Sequence, residues 1–97
     1  MKLVVAAPAV TELHDAATFY MLKGNVELEL AFVAEFERTA TLVLSNPLLG
    51  AVFRGTRRRH ILRRFPYSII HQGDGDEPRT LAVAHHRRRP GYWTHRR

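Results

Sequence analysis

The residues with the greatest capacity for chemistry in this chain are arginines and histidines, and they concentrate in one half of the sequence. Residues 51–97 hold twelve arginines, five histidines and no lysine against three acidic residues, a net charge of +9 with histidine neutral. Residues 1–50 hold three basic and six acidic residues, a net charge of −3. Because a guanidinium donates two parallel hydrogen bonds to phosphate or carboxylate, we expect the second half to meet a polyanion. That polyanion is either a nucleic acid or an acidic protein segment.

Side chains that could transfer protons lie among the last of these arginines. His85, His86 and Tyr92 are the candidates, since an imidazole titrates near neutral pH. Adjacent residues of a strand point to opposite faces, so a strand that continues through His85 and His86 turns only one of them towards a given site. The sequence leaves open which one. The chain has no cysteine and no carboxylate near these histidines, so we expect neither a metal site nor a cofactor.

Length and composition indicate one globular domain over residues 1–97. The chain is 45% hydrophobic and 25% charged, which is ordinary for a folded domain. The absence of cysteine excludes disulfides and favours a reducing compartment, so we expect a cytoplasmic protein. Pro8 interrupts the apolar start of the chain, which favours a first strand over a signal peptide. No segment approaches the roughly 20 apolar residues of a membrane span, and we expect no membrane partner.

Apolar spacing predicts a strand and two helices in the first half. The run from Leu3 to Ala6 reads as a strand, and Pro8 suits the first turn of a helix. Apolar residues then recur at three- and four-residue spacing until Gly24, after which Asn25 is expected to cap a second helix. Glu12 and Asp15 are expected to interact favourably with the positive end of the helix dipole at the start of the first helix. The predicted inward face of the second helix comprises Leu30, Val33, Phe36 or Glu37, Ala40 and Leu44, widened by Phe32 and Val43.

The second half reads as three short strands, at residues 60–64, 67–72 and 80–85. Phe65 and Pro66 separate the first two, and residues 73–78 form a turn between the last two. The order β-α-α-β-β-β predicts an α+β fold in which a helical hairpin packs on a small, mainly antiparallel sheet. The arginines are then expected on the opposite sheet face and on the sheet rim.

Four stretches, in this order, resemble the RelE/ParE superfamily of toxins. The first helix approximates the family's pattern through residues 8–20, and residues 46–50 match an Asn-Pro-x-x-Gly loop. Residues 63–70 are similar to the family's Arg-x-(Phe/Leu)-(Pro/Val)-Tyr strand pair. Residues 82–93 resemble its closing strand and basic tail. The resemblance covers nearly the whole chain.

The resemblance implies the toxin of a bacterial type II toxin–antitoxin system, of the kind linked to plasmid stabilization and growth inhibition. The implied partner is a cognate antitoxin encoded nearby, which binds the toxin in a hetero-oligomer. The leading hypothesis is a ParE-like toxin that poisons DNA gyrase by protein contact. The alternatives are a RelE-like endoribonuclease that cuts mRNA on the ribosome and a non-catalytic basic nucleic-acid-binding module, so whether the chain is an enzyme stays open.

Each hypothesis selects its own residues. For a ribonuclease, the resemblance places phosphate-binding arginines at Arg64 and Arg87; the alternative for both is a solvated sheet rim. Tyr92, His85 or His86 would then supply the acid–base steps. The run Arg57-Arg58-Arg59, which is expected to precede a strand, is interpreted either as a solvated turn or as a clamp for an acidic antitoxin tail or for nucleic acid. Tyr92 and Trp93 either fold back onto the core or anchor a partner. The residues predicted to contact a partner or target are Arg57, Arg58, Arg59, Arg87, Arg88, Arg89, Tyr92 and Trp93.

Overall fold

The computed structural model describes residues 4–46, 50–54, 57–72 and 79–96. The predicted Asn-Pro-x-x-Gly loop and the predicted turn at residues 73–78 fall largely or wholly outside these ranges. The elements in chain order are β1 (Val4–Val5), α1 (Ala7–Lys23), α2 (Val26–Ser45), β2 (Ala51–Arg54), β3 (Arg57–Ile61), β4 (Tyr67–Gln72) and β5 (Arg79–His85). No helix in the described part of the chain is long and apolar enough to cross a bilayer.

The strands form one five-stranded sheet in the order β1-β5-β4-β3-β2. β1 runs parallel to β5, and every other neighbouring pair is antiparallel. The predicted α+β fold with a helical hairpin on a mainly antiparallel sheet is confirmed. The strand count was wrong, because β2 was not predicted. Its four residues, Ala-Val-Phe-Arg, do not alternate between apolar and polar, so periodicity gives no signal there, and β2 is defined by its pairing with β3.

The break between the helices is where the sequence predicted it. The backbone N–H of Gly24 donates to the Tyr20 carbonyl at 3.0 Å, which ends α1. A Cβ at this position would lie 2.9 Å from the Tyr20 carbonyl oxygen, so a larger residue would force the backbone to shift. The Asn25 side chain accepts a hydrogen bond from the Leu28 backbone N–H at 2.8 Å and caps α2, as predicted.

The inward face of α2 agrees with the prediction at Phe32, Phe36 and Val43 and differs from it at Leu30. The buried residues are Phe32, Phe36, Thr39 and Val43, whereas Leu30 is 60% exposed. α2 carries apolar residues on two adjacent rows, so their spacing fits a helix that buries either row, and packing decides which row is buried. The residues that decide it lie outside α2. The Phe32 ring is 5.2 Å from both the Tyr20 and the Phe65 rings.

The two sheet faces carry separate apolar clusters. Ile69 pairs with Val83 across β4 and β5, and both pack against the helices. Ile70 pairs with Ala82 and faces the other way, where both cluster with Trp93. Trp93 is 2% exposed, so of the two readings for this residue the structure supports folding back onto the core.

Candidate functional site

The last described segment, residues 86–96, which we call the tail, packs on the sheet face opposite the helices. Trp93 anchors it in the cluster with Ile70. The Arg57 guanidinium donates to the backbone carbonyls of Thr94 and Arg96, the latter at 2.5 Å, and its carbon lies 5.7 Å from the centre of the Trp93 ring. The tail is therefore part of the folded domain, and Arg57 is one of the residues that hold it.

Glu12 on α1 is the second anchor of the tail. Its side chain is 12% exposed and accepts hydrogen bonds from the Val83 backbone N–H at 3.1 Å, from Arg96 at 2.8 Å and from the Tyr92 hydroxyl. Arg88 lies 3.6 Å from the same carboxylate. Glu12 thus joins α1, β5 and the tail, which differs from its predicted role at the helix start. The first turn of α1 contains no acidic residue.

This arrangement gives Tyr92 a structural role. Its hydroxyl donates to Glu12, and the Arg88 guanidinium lies 3.8 Å from its ring centre. Burial, and secondarily the hydrogen bond to Glu12, raises the pKa of Tyr92 above its ordinary value. A phenol that is held protonated in this way is poorly placed to accept a proton near neutral pH, which weakens its candidacy for acid–base function.

A cleft of about 60 Å³ lies between the tail and the outer sheet face. Its polar walls include Arg59 of β3, Ser68 of β4, and His86 and Arg89 of the tail. Ser68 Oγ lies 3.0 Å from His86 Nε2, and the His86 backbone N–H donates to the Pro66 carbonyl at 2.9 Å. The cleft can bind an anion, because it combines guanidinium groups with an imidazole.

The two adjacent histidines have different surroundings. β5 ends at His85, so His86 lies in the turn that begins the tail and bonds to Ser68 in the cleft. The His85 ring packs edge-on against Tyr67, 4.9 Å between ring centres, on the side of the sheet that faces α1. Its Nδ1 accepts the Arg87 N–H at 2.9 Å. Burial, and secondarily the Arg87 and His86 charges, lowers the pKa of His85 below its ordinary value.

The placement of two predicted phosphate-binding arginines was wrong. Arg87 was expected on the closing strand, but it is exposed in the turn after β5. Arg64 was expected at the end of a strand, but β3 stops at Ile61 and Arg64 lies in the loop before β4 with a positive φ of 72°. Its guanidinium carbon is 5.5 Å from the centre of the Phe65 ring.

The loop that carries Arg64 is tied to α2 through Glu35. The Arg63 backbone N–H donates to Glu35 at 2.6 Å, and the Arg38 guanidinium donates to both oxygens of that carboxylate at 2.8 and 2.7 Å. These contacts, chiefly the hydrogen bonds from Arg38, lower the pKa of Glu35 to about 2. Arg64 therefore faces a groove beside α2 and lies apart from the cleft under the tail.

The predicted arginine clamp is not a single unit. Residues 57–59 begin β3, so their side chains alternate between the two sheet faces, and they do not precede the strand as expected. Arg57 holds the tail, Arg58 donates to the Gly50 carbonyl at 3.1 Å, and Arg59 is exposed beside the cleft. Of the three, Arg59 is the one whose side chain is exposed.

The candidates for catalysis are spread over several places. Tyr92 borders the cleft, and His85, at the end of β5, lies between the cleft and the space beside α1. Arg64 lies in the α2 groove, and Arg87 is exposed in the turn. Within the described residues no group of three histidine, aspartate or glutamate side chains could hold a metal ion.

The network of hydrogen bonds around Glu12 was not predicted from the sequence. Its one signal is an acidic residue between the apolar positions Val10 and Leu13 of α1.

Comparison with known proteins identifies the fold. No family model and no curated protein matches the sequence. A solved structure titled "Chromosomal ParDE TA system from P. aeruginosa" has a chain similar to this one, with a TM-score of 0.75 and 20% sequence identity. The match covers 88% of this chain and 95% of that chain. The chain therefore has the ParE-like fold that the sequence motifs predicted.

Proposed function

We propose that this chain is the toxin of a type II toxin–antitoxin system and that it acts as ParE-like toxins do, by protein contact with DNA gyrase. The shared fold over 88% of the chain and the four ordered motifs support the toxin assignment. The proposed partner is an antitoxin encoded beside the toxin gene, and the proposed compartment is the cytoplasm, where that target resides.

The observation that carries contact over catalysis is the separation of the candidate catalytic groups. A ribonuclease needs a base, an acid and a charge stabiliser around one phosphate. Here Arg64 is held beside α2, while Tyr92 is bound to Glu12 near the opposite sheet face. A contact toxin needs only an exposed surface, and Arg59, Arg87 and Arg89 supply one around the tail.

One feature favours a ribonuclease as the second candidate. The cleft places His86, Arg59 and Arg89 together, with Ser68 bonded to the imidazole. A phosphodiester in this cleft would have guanidinium donors and one titratable group. It would use His86, one of the acid–base candidates, with Arg59 and Arg89 in place of Arg64 and Arg87, which the family resemblance selected.

The test is expression of the chain from a tightly controlled promoter, with and without the neighbouring gene. Growth should stop, the neighbour should restore it, and purified protein should inhibit gyrase supercoiling without cutting ribosome-bound mRNA. Alanine substitution at Arg59, Arg87 or Arg89 should each reduce toxicity in part, because contact energy is spread over several anchors. His86→Ala should remain toxic.

Each alternative outcome is distinct. Loss of both transcript cleavage and toxicity in His86→Ala, by about 100-fold or more, would establish the ribonuclease in place of the contact toxin. Tight, salt-steep binding to naked duplex without growth arrest would indicate a plain nucleic-acid-binding module. Accumulation of folded protein without any effect on growth would refute the toxin assignment.

A further inference from the structure

A pocket distinct from the cleft and from the α2 groove lies between α1 and the sheet, and we call it the α1 pocket. It has a volume of about 190 Å³, and its walls include Asp15, Phe19, Tyr67, His85 and Arg88. Sites for drug-sized molecules are larger, roughly 300–1,000 Å³. The α1 pocket therefore suits a ligand group no larger than one heterocyclic ring system.

The apolar lining of the α1 pocket comes from both layers of the fold. Ala16 of α1 and Val83 of β5 line it and are buried. Phe19, one helical turn after Ala16, and Tyr67, at the start of β4, add aromatic rings. The Phe19 side chain is 51% exposed, so much of its ring is open to a ligand. An aromatic heterocycle can stack on such a ring.

Two side chains of opposite charge border this apolar lining. Asp15 is exposed, and among the described residues no basic group lies within ion-pair distance of its carboxylate. Arg88 lies 3.6 Å from Glu12, and since a guanidinium has five N–H donors, it keeps donors beyond that contact. The pocket thus combines a carboxylate that can accept two hydrogen bonds with a guanidinium that can donate two.

The sheet side of the α1 pocket favours an uncharged ligand group. Burial is the main cause that lowers the pKa of His85 and raises the pKa of Tyr67, so both side chains are shifted towards their neutral forms. His85 Nδ1 accepts the Arg87 N–H at 2.9 Å, so the ring carries its proton on Nε2, which is a further donor. The charges of Asp15 and Arg88 cancel. An uncharged heterocycle with both donors and acceptors on its edges matches these groups.

We propose that the α1 pocket binds the guanine base of a free guanine mononucleotide, a property that goes beyond the proposed function. The Watson–Crick edge of guanine presents two parallel N–H donors to a carboxylate, and its O6 and N7 accept two hydrogen bonds from a guanidinium. Asp15 takes the first role and Arg88 the second, while the base stacks on Phe19. Adenine fits less well, because its N1 is an acceptor and would face the acceptor oxygens of Asp15.

The surroundings of the α1 pocket favour a mononucleotide over a nucleic-acid strand. Arg87 is exposed two residues after His85 and can meet one phosphate group. A strand requires basic side chains along its path, because several phosphates are neutralised together. α1 has no arginine, and its only lysine is Lys23 at the far end of the helix. The helix that forms one wall therefore offers a strand little to bind, whereas a single phosphate needs only the arginines of the tail.

The test is a nuclear magnetic resonance titration of the full-length, isotope-labelled protein with guanosine monophosphate (GMP) and adenosine monophosphate (AMP). GMP should shift the amide signals around the α1 pocket to saturation, and AMP should bind about 10-fold or more weakly. Asp15→Asn keeps the size of the side chain but loses one acceptor, so it should remove most of the preference for GMP. Phe19→Leu should weaken both nucleotides by about 5-fold or more, because stacking does not distinguish the bases. Both residues are exposed, so neither variant removes a core side chain.

Glu27→Gln is the matched control, because it removes the same charge from the exposed start of α2, outside the pocket, and should leave both affinities unchanged. The absence of saturable shifts with GMP would overturn the site. Equal affinity for GMP and AMP, or an unchanged preference in Asp15→Asn, would overturn guanine recognition.

Two further probes test the class of ligand. If inorganic phosphate produces the same shifts as GMP, the arginines bind an anion and the base has no site. If a single-stranded RNA that contains guanine occupies the α1 pocket more than about 10-fold more tightly than GMP, the ligand is a strand and the mononucleotide assignment is wrong. Growth arrest is not measured in any of these titrations, so failure of the toxin assignment and failure of this site are distinguishable.

Discussion

Removing the charge of Glu12 should destabilise the domain more than any other single change to a charged side chain on the helices. Glu12→Gln keeps the size of the side chain and one accepting oxygen, but it leaves Arg96 opposite an uncharged group. Arg96 is only 16% exposed and donates to Glu12 at 2.8 Å, so little water replaces the lost partner. The Tyr92 hydroxyl and the Val83 N–H also lose a charged acceptor.

The size of the effect follows from these contacts. A hydrogen bond to a charged group contributes about 1.5–3 kcal/mol, and breaking a buried ion pair costs about 3–5 kcal/mol. Arg88 is 53% exposed, so its share is below about 1 kcal/mol. Because Arg96 is not fully buried and glutamine still accepts a hydrogen bond, we expect a loss of about 2–4 kcal/mol in the free energy of unfolding. For a domain of this length that corresponds to a fall in Tm of roughly 10–25 °C.

Urea denaturation followed by circular dichroism measures this loss directly. Glu37→Gln is the control, because Glu37 is exposed on α2 and should change stability by no more than about 0.5 kcal/mol. A double-mutant cycle with Arg96→Met should return a coupling energy of about 1–3 kcal/mol. If Glu12→Gln unfolds within about 0.5 kcal/mol of wild type, Glu12 does not anchor the tail.

Three further predictions concern stability. The pKa of Glu35 is about 2, below its ordinary 4.5, so its ion pair with Arg38 stabilises the fold above pH 5 and is lost as pH falls towards 2. The difference in unfolding free energy between wild type and Glu35→Gln, about 1 kcal/mol, should shrink over that range in acid titrations, and a constant difference would contradict the pairing. A chain truncated after Arg89 loses Trp93, worth about 3–5 kcal/mol, and should lack a cooperative thermal transition; a folded truncation would show that the tail is dispensable. Thr80 is 1% exposed and its hydroxyl has no hydrogen-bond partner among the described residues, so Thr80→Val should leave Tm unchanged or raise it, and a fall of several degrees would reveal a partner.

The helix boundaries could be predicted from the sequence because the residues that set them act on the backbone next to them. Pro8, Gly24 and Asn25 act on the backbone within one turn of themselves, and they begin or end helices wherever the rest of the chain goes. The motifs in the right order then predicted the fold, which the structural comparison confirmed.

Tertiary structure determined which face of α2 is buried and which arginines make contacts within the fold. Both the row with Leu30 and the row with Phe32 fit a helical period, and contact with Phe65, about thirty residues away along the chain, selected the second. Nothing in the sequence distinguishes Arg57 from Arg59. In the folded sheet, Arg57 donates hydrogen bonds to the tail, whereas Arg59 is exposed beside the cleft.

Glu12 is the clearest example of a residue whose role depends on tertiary structure. Its hydrogen-bond partners lie 71 to 84 residues further along the chain, and nothing in the residues around it indicates a tail that folds back across the sheet. Composition and periodicity determined that this protein is a basic α+β domain with arginines concentrated in its second half. Which arginines make contacts within the fold and which stay exposed depended on distances between residues remote in sequence, since electrostatic and packing energies act through space and not along the chain.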